Sequence, residues 1–486
     1  MQKTGITQDS KNTITFILDG QPVTPPPLPP DTTLLNYLRD HLDRKGSKEG
    51  CAEGDCGACT VVIADLHHGE SRYRAVNACI QFLPTLDGKV LYTVESLQQG
   101  HELHPVQQAM FDCHASQCGF CTPGFVMSLF ALYKTQSSAD RQQVSTALSG
   151  NLCRCTGYRP ILEAGQRMYE YRPADAADTA TEEAAIIQQL QDLQATQQSL
   201  TLNNNGQRFF APTTTAELAE LYEQYPDATI LAGGTDVGLW VTKQFRDLPN
   251  LIYLGKVTEL DYVRSNESKT HLEIGALATL EDGYRELVKH YPELTDLHER
   301  FASPPIRNAG TLVGNVANGS PIGDSMPALI ALGSSVVLRK GAKQRELAME
   351  DFYLDYQKKD LQAGEFVEAV RVPLPQTGQT VRCWKISKRF EQDISAVCAA
   401  FWLTLDEKNI VENIRICYGG MAAIPKRATQ TENHLRGQTW NQTTVEQAMQ
   451  VIDQDFTPLT DMRASSDYRM KVAKNLLLKF YLETEA

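Results

Sequence analysis

Three cysteines within nine residues, in the stretch CAEGDCGACTV at 51–61, constrain this chain more than any other feature of its sequence. Nine of the twelve cysteines lie between Cys51 and Cys155. A chain that used cysteine only as a small hydrophobe would not segregate it in this way. Residues 1–16 lack the charged-then-apolar pattern of a signal peptide, so a disulfide framework is not expected. The clustering predicts that the first third of the chain binds metal.

The first cysteine set has the spacing of an iron–sulfur site. Its members, separated by four, two and nineteen residues, are Cys51, Cys56, Cys59 and Cys79. This is the plant-type ferredoxin order of ligands for a [2Fe–2S] cluster. Gly50, Gly54 and Gly57 allow the tight and left-handed turns that bring backbone N–H groups close to such a cluster. A zinc site is the alternative, but zinc ligands usually come as two Cys-x-x-Cys pairs or with histidines.

A second set combines one Cys-x-x-Cys with one Cys-x-Cys, and each pair opens a segment with helical periodicity. The four residues are Cys118, Cys121, Cys153 and Cys155. Pro123 and Pro160 lie near the two predicted helix starts, where proline is tolerated. Free N–H groups and the positive end of the helix dipole stabilise thiolates at such positions. The sequence therefore predicts a second cluster, and Cys113 is interpreted as a buried thiol that is not a ligand.

The motifs QCGFCTPG and NLCRCTGYRP, after a plant-type set, resemble the iron–sulfur part of the molybdenum hydroxylase family, which includes xanthine dehydrogenase and aldehyde oxidase. The resemblance implies a plant-type ferredoxin β-grasp domain over 1–93 and a helical-bundle [2Fe–2S] domain over 94–172. It also implies that Gln117 contacts the molybdopterin of a neighbouring catalytic domain. An ordinary surface amide is the alternative interpretation of Gln117.

Residues 173–207 are rich in Ala, Gln, Thr and Asp, which predicts a flexible linker with at most a short helix. Beyond it, a short apolar strand runs into Gly233 and Gly234, a weak signal for a phosphate-binding turn. A second loop-rich stretch, LVGNVANGSPIGDS, precedes an apolar helix. The chain contains neither Gly-x-Gly-x-x-Gly nor a Walker A loop, so it is not an ordinary Rossmann or P-loop protein.

Both stretches resemble the FAD domain that accompanies molybdenum hydroxylases. The resemblance implies an α+β FAD-binding domain over 208–380 with a C-terminal α/β subdomain over 381–486. Val313 stands where the family often has a glycine. The resemblance implies that Phe301 packs on the isoalloxazine ring, and an ordinary core phenylalanine is the alternative. The implied FAD contacts are Leu231, Ala232, Gly233, Gly234, Thr235, Asp236, Val237, Phe301, Gly314, Asn315, Ser320, Asp324 and Lys426. The remaining cysteines, in strand-like apolar contexts, are predicted to be core residues: Cys383, Cys398 and Cys417.

The domain order resembles that of the small subunit of bacterial xanthine dehydrogenases, an α+β multidomain chain. The resemblance implies an electron-transfer subunit of an oxidoreductase that converts hypoxanthine and xanthine to urate. Electrons pass from a molybdenum cofactor on a large molybdopterin-binding subunit, through two [2Fe–2S] clusters, to FAD and then NAD+. Two small and two large chains form the expected heterotetramer, and no hydroxylating residue is expected here. A stand-alone NADH-dependent flavin and iron–sulfur reductase, or a cluster-bearing sensor or scaffold, are the alternatives.

Length and composition agree with a soluble electron carrier. A chain of 486 residues is long enough for about three domains. The net charge of −13, without a basic block, argues against nucleic acid as a partner. The longest apolar runs, such as FVMSLFALY, are about half the length that a membrane span needs. These properties predict a cytoplasmic protein with no membrane partner.

Overall fold

The computed structural model describes residues 10–98, 100–172 and 176–484. The chain forms two compact units, of which the first comprises 1–258 with 303–310 and the second 259–302 with 311–486. Both cysteine sets lie in the first unit. Within the described ranges, no helix combines the length and the apolar character that crossing a bilayer requires.

A five-stranded mixed sheet begins the first unit. The stretch NTITFILDGQPV alternates like a strand on both sides of Asp19 and Gly20, which predicts an opening hairpin. Asp19 and Gly20 both have positive φ, 53° and 71°, and make its tight turn. The strand order is β2-β1-β5-β3-β4, with β1 parallel to β5. The elements are β1 (Phe16–Leu18), β2 (Gln21–Val23), α1 (Leu34–Asn36) continued by a π-helical turn (Tyr37–His41), β3 (Thr60–His67), β4 (Glu70–Asn77) and β5 (Val90–Tyr92). The predicted ferredoxin-like domain is confirmed.

Four helices follow and form the second cysteine-bearing domain. They are α2 (Pro105–Asp112), α3 (Thr122–Thr135), α4 (Arg141–Ala147) and α5 (Arg159–Arg167). Helix α3 is apolar nearly all round, and it is buried between β3 of the sheet and the other helices. An apolar circumference is what a helix surrounded by protein requires. The predicted helical domain is confirmed.

The segment predicted to be a flexible linker is mostly ordered. Helix α6 (Ala176–Ala195) occupies the greater part of it, and β6 (Leu200–Asn204) begins before its predicted end. Ile186, Leu190 and Leu193 recur at helical spacing and pack on the core of the helical domain. These three apolar residues are few among many Gln, Thr and Asp residues. The composition of the segment therefore predicted a flexible linker where the chain forms a packed helix.

The rest of the first unit is a small four-stranded sheet with two helices. Its order is β6-β7-β9-β8, and β7 and β8 both run parallel to β9. The elements are β7 (Gln207–Ala211), α7 (Thr215–Gln224), β8 (Thr229–Leu231), α8 (Val237–Thr242) and β9 (Asn250–Tyr253). The two-glycine turn therefore follows the short strand that the sequence predicts, and it joins that strand to a short helix.

The second unit starts with a five-stranded antiparallel sheet ordered β10-β11-β16-β12-β13. The strands are β10 (Val263–Ser265), β11 (His271–Gly275), β12 (Ser335–Lys340), β13 (Lys343–Ala348), β14 (Tyr353–Asp355), β15 (Lys358–Lys359) and β16 (Phe366–Pro373), of which β14 and β15 pair separately. The helices of this stretch are α9 (Leu280–His290), α10 (Thr295–Arg300), α11 (Pro304–Ala309), which belongs to the first unit, α12 (Leu312–Asn318), α13 (Ser325–Ala331) and α14 (Met349–Phe352).

A four-stranded antiparallel sheet backed by helices ends the second unit. Its order is β17-β18-β19-β20, and its apolar face packs on the last two helices. The elements are β17 (Gln379–Ile386), β18 (Val397–Leu405), β19 (Val411–Gly419), β20 (Lys426–Arg427), α15 (Thr429–Leu435), α16 (Gln442–Asp455) and α17 (Ser466–Thr484). The paired strands and the closing helix are as predicted, and the domain boundaries remain predictions.

Candidate cofactor sites

The loop before β3 surrounds the Cys51 sulfur with backbone donors. The N–H groups of Glu53 and Asp55 each lie 3.4 Å from Cys51 Sγ, and that of Cys56 lies 3.3 Å away. Backbone donors of this kind stabilise a thiolate, which is the form that binds metal. These donors suit the role predicted for Cys51, a cluster ligand.

All four cysteines of the first set converge. The side chain of Cys51 is within hydrogen-bonding contact of both Cys56 and Cys79, and Cys79 also contacts Cys59. The Cys56 thiol lowers the pKa of Cys51, whereas the Cys51 side chain raises the pKa of Cys79. Cys59 and Cys79 are buried against the sheet, and Cys51 and Cys56 are half-buried. The four residues fit one cluster between a buried side and a more open side.

Two side-chain contacts join the four cysteines of the second set in pairs. Cys118 meets Cys155, and Cys121 meets Cys153, so each contact joins a residue before α3 to one before α5. Burial is the main cause that raises the pKa of Cys121 to about 12. Among the described residues, no three His, Cys, Asp or Glu side chains are arranged to hold a single metal ion. Contacts in pairs suit a [2Fe–2S] cluster, in which four cysteines are shared by two irons.

Helices α3 and α5 both begin next to the second cysteine set. Cys121 is the N-cap residue of α3, and Tyr158, with φ of 65°, is the N-cap of α5. The Tyr158 hydroxyl accepts a hydrogen bond from the Cys153 N–H at 2.9 Å. The tyrosine thus fixes the Cys-x-Cys turn, a role that the sequence did not reveal.

The loop of the first cysteine set has no space for a side chain at two of its glycines. A Cβ on Gly50 would lie 2.7 Å from Cys56 Sγ, and one on Gly57 would lie 2.2 Å from the Gly150 carbonyl oxygen. Gly54 and Gly57 also have positive φ, 78° and 69°. Both findings agree with the tight, left-handed wrapping predicted for a cluster loop.

The other cysteines are separate from these sets. Cys113 is half-buried rather than buried, and its sulfur lies 3.6 Å from Arg167 Nη1. Cys383, Cys398 and Cys417 are buried, as predicted for core residues. The adjacent Cys383 side chain and burial raise the pKa of Cys398 well above its usual value, which favours a neutral thiol.

The two-glycine turn of the first unit is tightly packed. A Cβ on Gly233 would lie 1.8 Å from the Ala309 carbonyl oxygen, and Gly234 has a φ of 73°. Glycine is therefore required at 233 by contact with the end of α11, and it is favoured at 234 by a left-handed turn. Close approach of a phosphate to this turn stays a prediction. Leu231 is buried at the end of β8, Val237 starts α8, and residues 232–236 form the turn between.

The remaining predicted FAD contacts are in the second unit. Asn315 lies in α12 and Asp324 immediately precedes α13, and each has a buried Oδ1 without a hydrogen-bonding partner among the described residues. Phe301 is half-buried, with its ring 6.0 Å from that of Tyr284. Orphaned acceptors of this kind fit a ligand that supplies N–H or O–H donors. Val313 is buried in α12.

Gly314 and Ser320 have mainly local contacts. The Gly314 N–H donates to Thr311 Oγ1 at 3.0 Å, so this residue belongs to the first turn of α12. Ser320 Oγ accepts from the Ile322 N–H at 3.5 Å, within the loop that follows the helix. These contacts shape the backbone around Asn315 and Asp324.

One lysine that was predicted to contact FAD has partners within the protein, and a second lysine, which was not predicted, lies beside a predicted FAD contact. Lys426 donates to the Asp455 carbonyl oxygen at 2.8 Å and lies over the Phe456 ring, so its ammonium already has partners in the C-terminal subdomain. Lys385, which the sequence argument missed, is buried and lies 2.5 Å from Asp324 Oδ2. The alternating pattern of β17 could have indicated that Lys385 is buried, because Lys385 lies on the same buried face as Val381 and Cys383.

Four protein-family models match successive parts of the chain. They are the 2Fe-2S iron-sulfur cluster binding domain (16–82), the [2Fe-2S] binding domain (93–166), the FAD binding domain in molybdopterin dehydrogenase (203–375) and the CO dehydrogenase flavoprotein C-terminal domain (382–484). Their order is that expected from the sequence.

Similar proteins agree with these matches. Xanthine dehydrogenases from Emericella nidulans and Drosophila subobscura are 30% and 31% identical over 98% of this chain. The chain spans about two-fifths of their length, 39% of each. Reconstituted CO dehydrogenase from Oligotropha carboxidovorans contains a chain that is 26% identical, with a TM-score of 0.51, covering 55% of this chain and 94% of that one.

Proposed function

Since the chain belongs to the molybdenum hydroxylase family and carries its two [2Fe–2S] domains and its FAD domain, we propose that it conducts electrons between a molybdenum centre on a large partner subunit and NAD+. When bound, the clusters supply one-electron transfer and FAD exchanges one electron or two. The predicted cluster ligands are the two cysteine sets. The observation that carries the proposal is the direct contact between the two cysteine loops.

A main-chain hydrogen bond connects the two ligand sets. The N–H of Leu152, the residue before Cys153, donates to the carbonyl oxygen of Cys56 at 3.0 Å. Ligands of both predicted clusters are therefore joined through covalent bonds and one hydrogen bond. Electron tunnelling falls steeply with distance, so this proximity is what an electron conduit needs.

The other side of the first loop contacts the FAD-binding part of the same unit. Thr242 Oγ1, at the end of α8, donates to the carbonyl oxygen of Ala52 at 2.8 Å. A Cβ on Gly238 would lie 2.6 Å from the carbonyl oxygen of Ile80, the residue after Cys79. The segment of the first cysteine set therefore contacts both the loop of the second set and the helix after the two-glycine turn, which supports the proposed order of electron transfer.

The second cysteine set lies at an exposed surface with apolar residues. Gln117, Cys118 and Cys155 are exposed, and so are Phe120 at 47% and Leu152 at 40%. We define these five residues as the cluster-2 surface. A protein surface of this kind suits docking of another subunit close to the cluster. We propose that a molybdopterin-binding subunit docks there, with Gln117 towards its cofactor, in a heterotetramer of two chains of each kind.

The purine substrates and the NAD+ acceptor are part of the same proposal. Two relatives that match 98% of this chain are named xanthine dehydrogenases, which supports oxidation of hypoxanthine and xanthine to urate. The hydroxylating residues would lie on the partner subunit, and a cytoplasmic location suits this metabolic role. FAD contacts are proposed at residues 231–237 of the first unit and, separately, at the predicted positions of the second unit.

The direct test is anaerobic titration of the purified chain with NADH, followed by visible and EPR spectra. We expect four irons per chain, flavin bleaching and two distinct [2Fe–2S] signals. Reduction by dithionite but not by NADH would contradict the NAD+ acceptor. Fewer than four irons per chain would contradict the cluster assignments. Purification of the chain from its native cells with both clusters and FAD but without a molybdenum-binding subunit would instead favour the stand-alone reductase.

The docking surface is tested separately by co-purification of the complex. Phe120→Asp places a charge on the cluster-2 surface and is expected to abolish recovery of a molybdenum-containing subunit. Phe245→Asp is the matched control, because Phe245 is 85% exposed but lies in the loop after α8. Equal recovery of the partner with both variants would exclude docking at this surface.

A further inference from the structure

A hydroxyl group lies against one sulfur of the second cysteine set. Thr156 Oγ1 is 3.1 Å from Cys153 Sγ, and the Thr156 N–H lies 3.5 Å from the same sulfur. Thr156 directly follows Cys155, in the turn between the Cys-x-Cys pair and α5. One residue therefore offers two donors to one predicted cluster ligand.

The contacts of Thr156 decide the direction of its side-chain hydrogen bond. The Tyr158 N–H donates to Thr156 Oγ1 at 3.2 Å, so the hydroxyl oxygen already acts as an acceptor on this side. Cysteine binds metal as a thiolate, which has no proton to donate. The Cys153 sulfur is then the acceptor, and the hydroxyl proton of Thr156 is directed to it.

Tyr158 holds this arrangement in place. Its φ of 65° lies in the left-handed region, which a residue other than glycine retains only where surrounding contacts hold it. Its hydroxyl accepts from the Cys153 N–H at 2.9 Å while its own N–H binds Thr156. The turn from Cys153 to Tyr158 is thus closed by hydrogen bonds at both ends, and the Thr156 hydroxyl is held towards the sulfur.

The two cysteine sets receive donors of different kinds. The donors to Cys51 are main-chain N–H groups, which belong to the backbone of the loop. Thr156 adds a side-chain donor to Cys153, and a side chain can be exchanged while the backbone stays the same. Hydrogen bonds to the sulfurs are among the factors that set the reduction potential of an iron–sulfur cluster. The second set therefore has a donor with which its potential can be adjusted.

We propose that the Thr156 hydroxyl raises the reduction potential of the second [2Fe–2S] cluster through its hydrogen bond to Cys153. Reduction adds one negative charge to the cluster and its thiolates, and a hydrogen bond to a sulfur strengthens as the negative charge increases. The hydroxyl thus stabilises the reduced form more than the oxidised form. Thr156 is a positioning residue that acts through Cys153, and the inference rests on the proposed ligation of the second cluster.

The test is a redox titration of the full chain with dithionite and mediators, in which low-temperature EPR follows each reduced cluster. Thr156→Val replaces the hydroxyl by a methyl group of similar size. The equilibrium constant for reduction of the second cluster should then fall about tenfold, a shift of ~59 mV to more negative potential for one electron. Thr156→Ser keeps a hydroxyl and should retain the wild-type potential. The first cluster should keep its potential in both variants and is the internal reference.

Two further variants complete the experiment. Cys155→Ser changes one predicted ligand of the second set and should alter or remove only one of the two EPR signals, which assigns that signal to the second cluster. Thr135→Val removes an exposed hydroxyl that donates to the main chain of α3. Both potentials should stay at their wild-type values in this control.

An unchanged potential of the second cluster in Thr156→Val would overturn the inference, and so would equal shifts of both clusters, which indicate a general effect on the fold. Thr156→Ala is the second hydroxyl-free variant if Thr156→Val does not fold, and the same shift is expected. Loss of the second cluster from both variants would make the hydroxyl a requirement for assembly and would overturn its effect on the potential. Fewer than four irons in the wild-type chain would instead refute the cluster assignments themselves.

Discussion

Asn151 Nδ2 donates a hydrogen bond to the carbonyl oxygen of Gly57 at 3.1 Å, joining the segment before the second Cys-x-Cys to the loop of the first cysteine set. Its Oδ1 accepts from Ser128 Oγ in α3 at 2.6 Å. The side chain is buried, at 3% exposure. One amide therefore holds together three pieces of chain around two predicted clusters.

Replacing this amide should loosen the two cluster loops together. Asn151→Ala leaves the buried Ser128 hydroxyl without its acceptor and removes one of the donors to the Gly57 carbonyl, which keeps its hydrogen bonds from Thr60. The free energy of unfolding should fall by roughly 1–3 kcal/mol. The magnetic interaction between the two reduced clusters, measured by EPR, should also weaken. Asn433→Ala, at an exposed position of α15, is the control. An unchanged melting curve and EPR spectrum in Asn151→Ala would exclude this role.

Two glycines with similar backbone angles should respond very differently to alanine. Gly57 and Gly69 have φ of 69° and 85°, but only at Gly57 would a Cβ collide with neighbouring backbone. Gly69→Ala should cost about 1 kcal/mol of backbone strain. Gly57→Ala should cost more and also lower the iron content, which metal analysis measures. Equal stability and full iron content in both variants would contradict the close packing described here.

Protonation of His104 should destabilise the helical domain in mild acid. Burial, with Lys134 nearby, lowers the pKa of His104 from 6.5 to about 4. Between these values the unfolded chain binds the proton more readily, so stability falls as pH decreases, by up to ~1.4 kcal/mol per pH unit. Melting curves from pH 7 to pH 5 measure this slope. It should become shallower in His104→Asn, whereas His101→Asn, at an exposed position, should keep the wild-type slope.

Glu183 should hold helix α6 in place until the solution becomes acidic. Burial raises its pKa, but hydrogen bonds from Ser71, Lys134 and Tyr73 outweigh burial, and the net pKa is lowered. A carboxylate with a lowered pKa stabilises the fold above the pKa of the unfolded chain, ~4.3, and this contribution is lost as pH falls through the folded value.

The measurement for α6 is limited proteolysis at neutral and acidic pH. Glu183→Gln should increase cleavage within 180–195 at pH 7 and reduce the difference between the two pH values. Glu182→Gln, at an exposed neighbouring position, should behave as wild type. A cleavage rate in Glu183→Gln equal to that of wild type at both pH values would show that these hydrogen bonds do not retain the helix.

The cysteine spacing by itself determined much of this protein. Cluster ligation depends on a few residues at short, fixed separations, so Cys51, Cys56 and Cys59, and the pairs before α3 and α5, were recognisable without a structure. Alternating and helical periodicities identified the opening hairpin, the strand before the two-glycine turn, the helices after the two cysteine pairs and the closing helix for the same reason, since they record local geometry. The order of domains was implied by the resemblance of the motifs to a known family.

Tertiary structure decided whatever depends on partners distant in the sequence. The polar composition of 173–207 concealed α6, whose burial depends on the helical domain. Gly233 is required by the Ala309 carbonyl, 76 residues away, an approach that no local pattern records. Lys385 reaches Asp324 across 61 residues because a strand and a helix start meet. Such contacts are set by packing of whole elements, and only the folded chain contains that information.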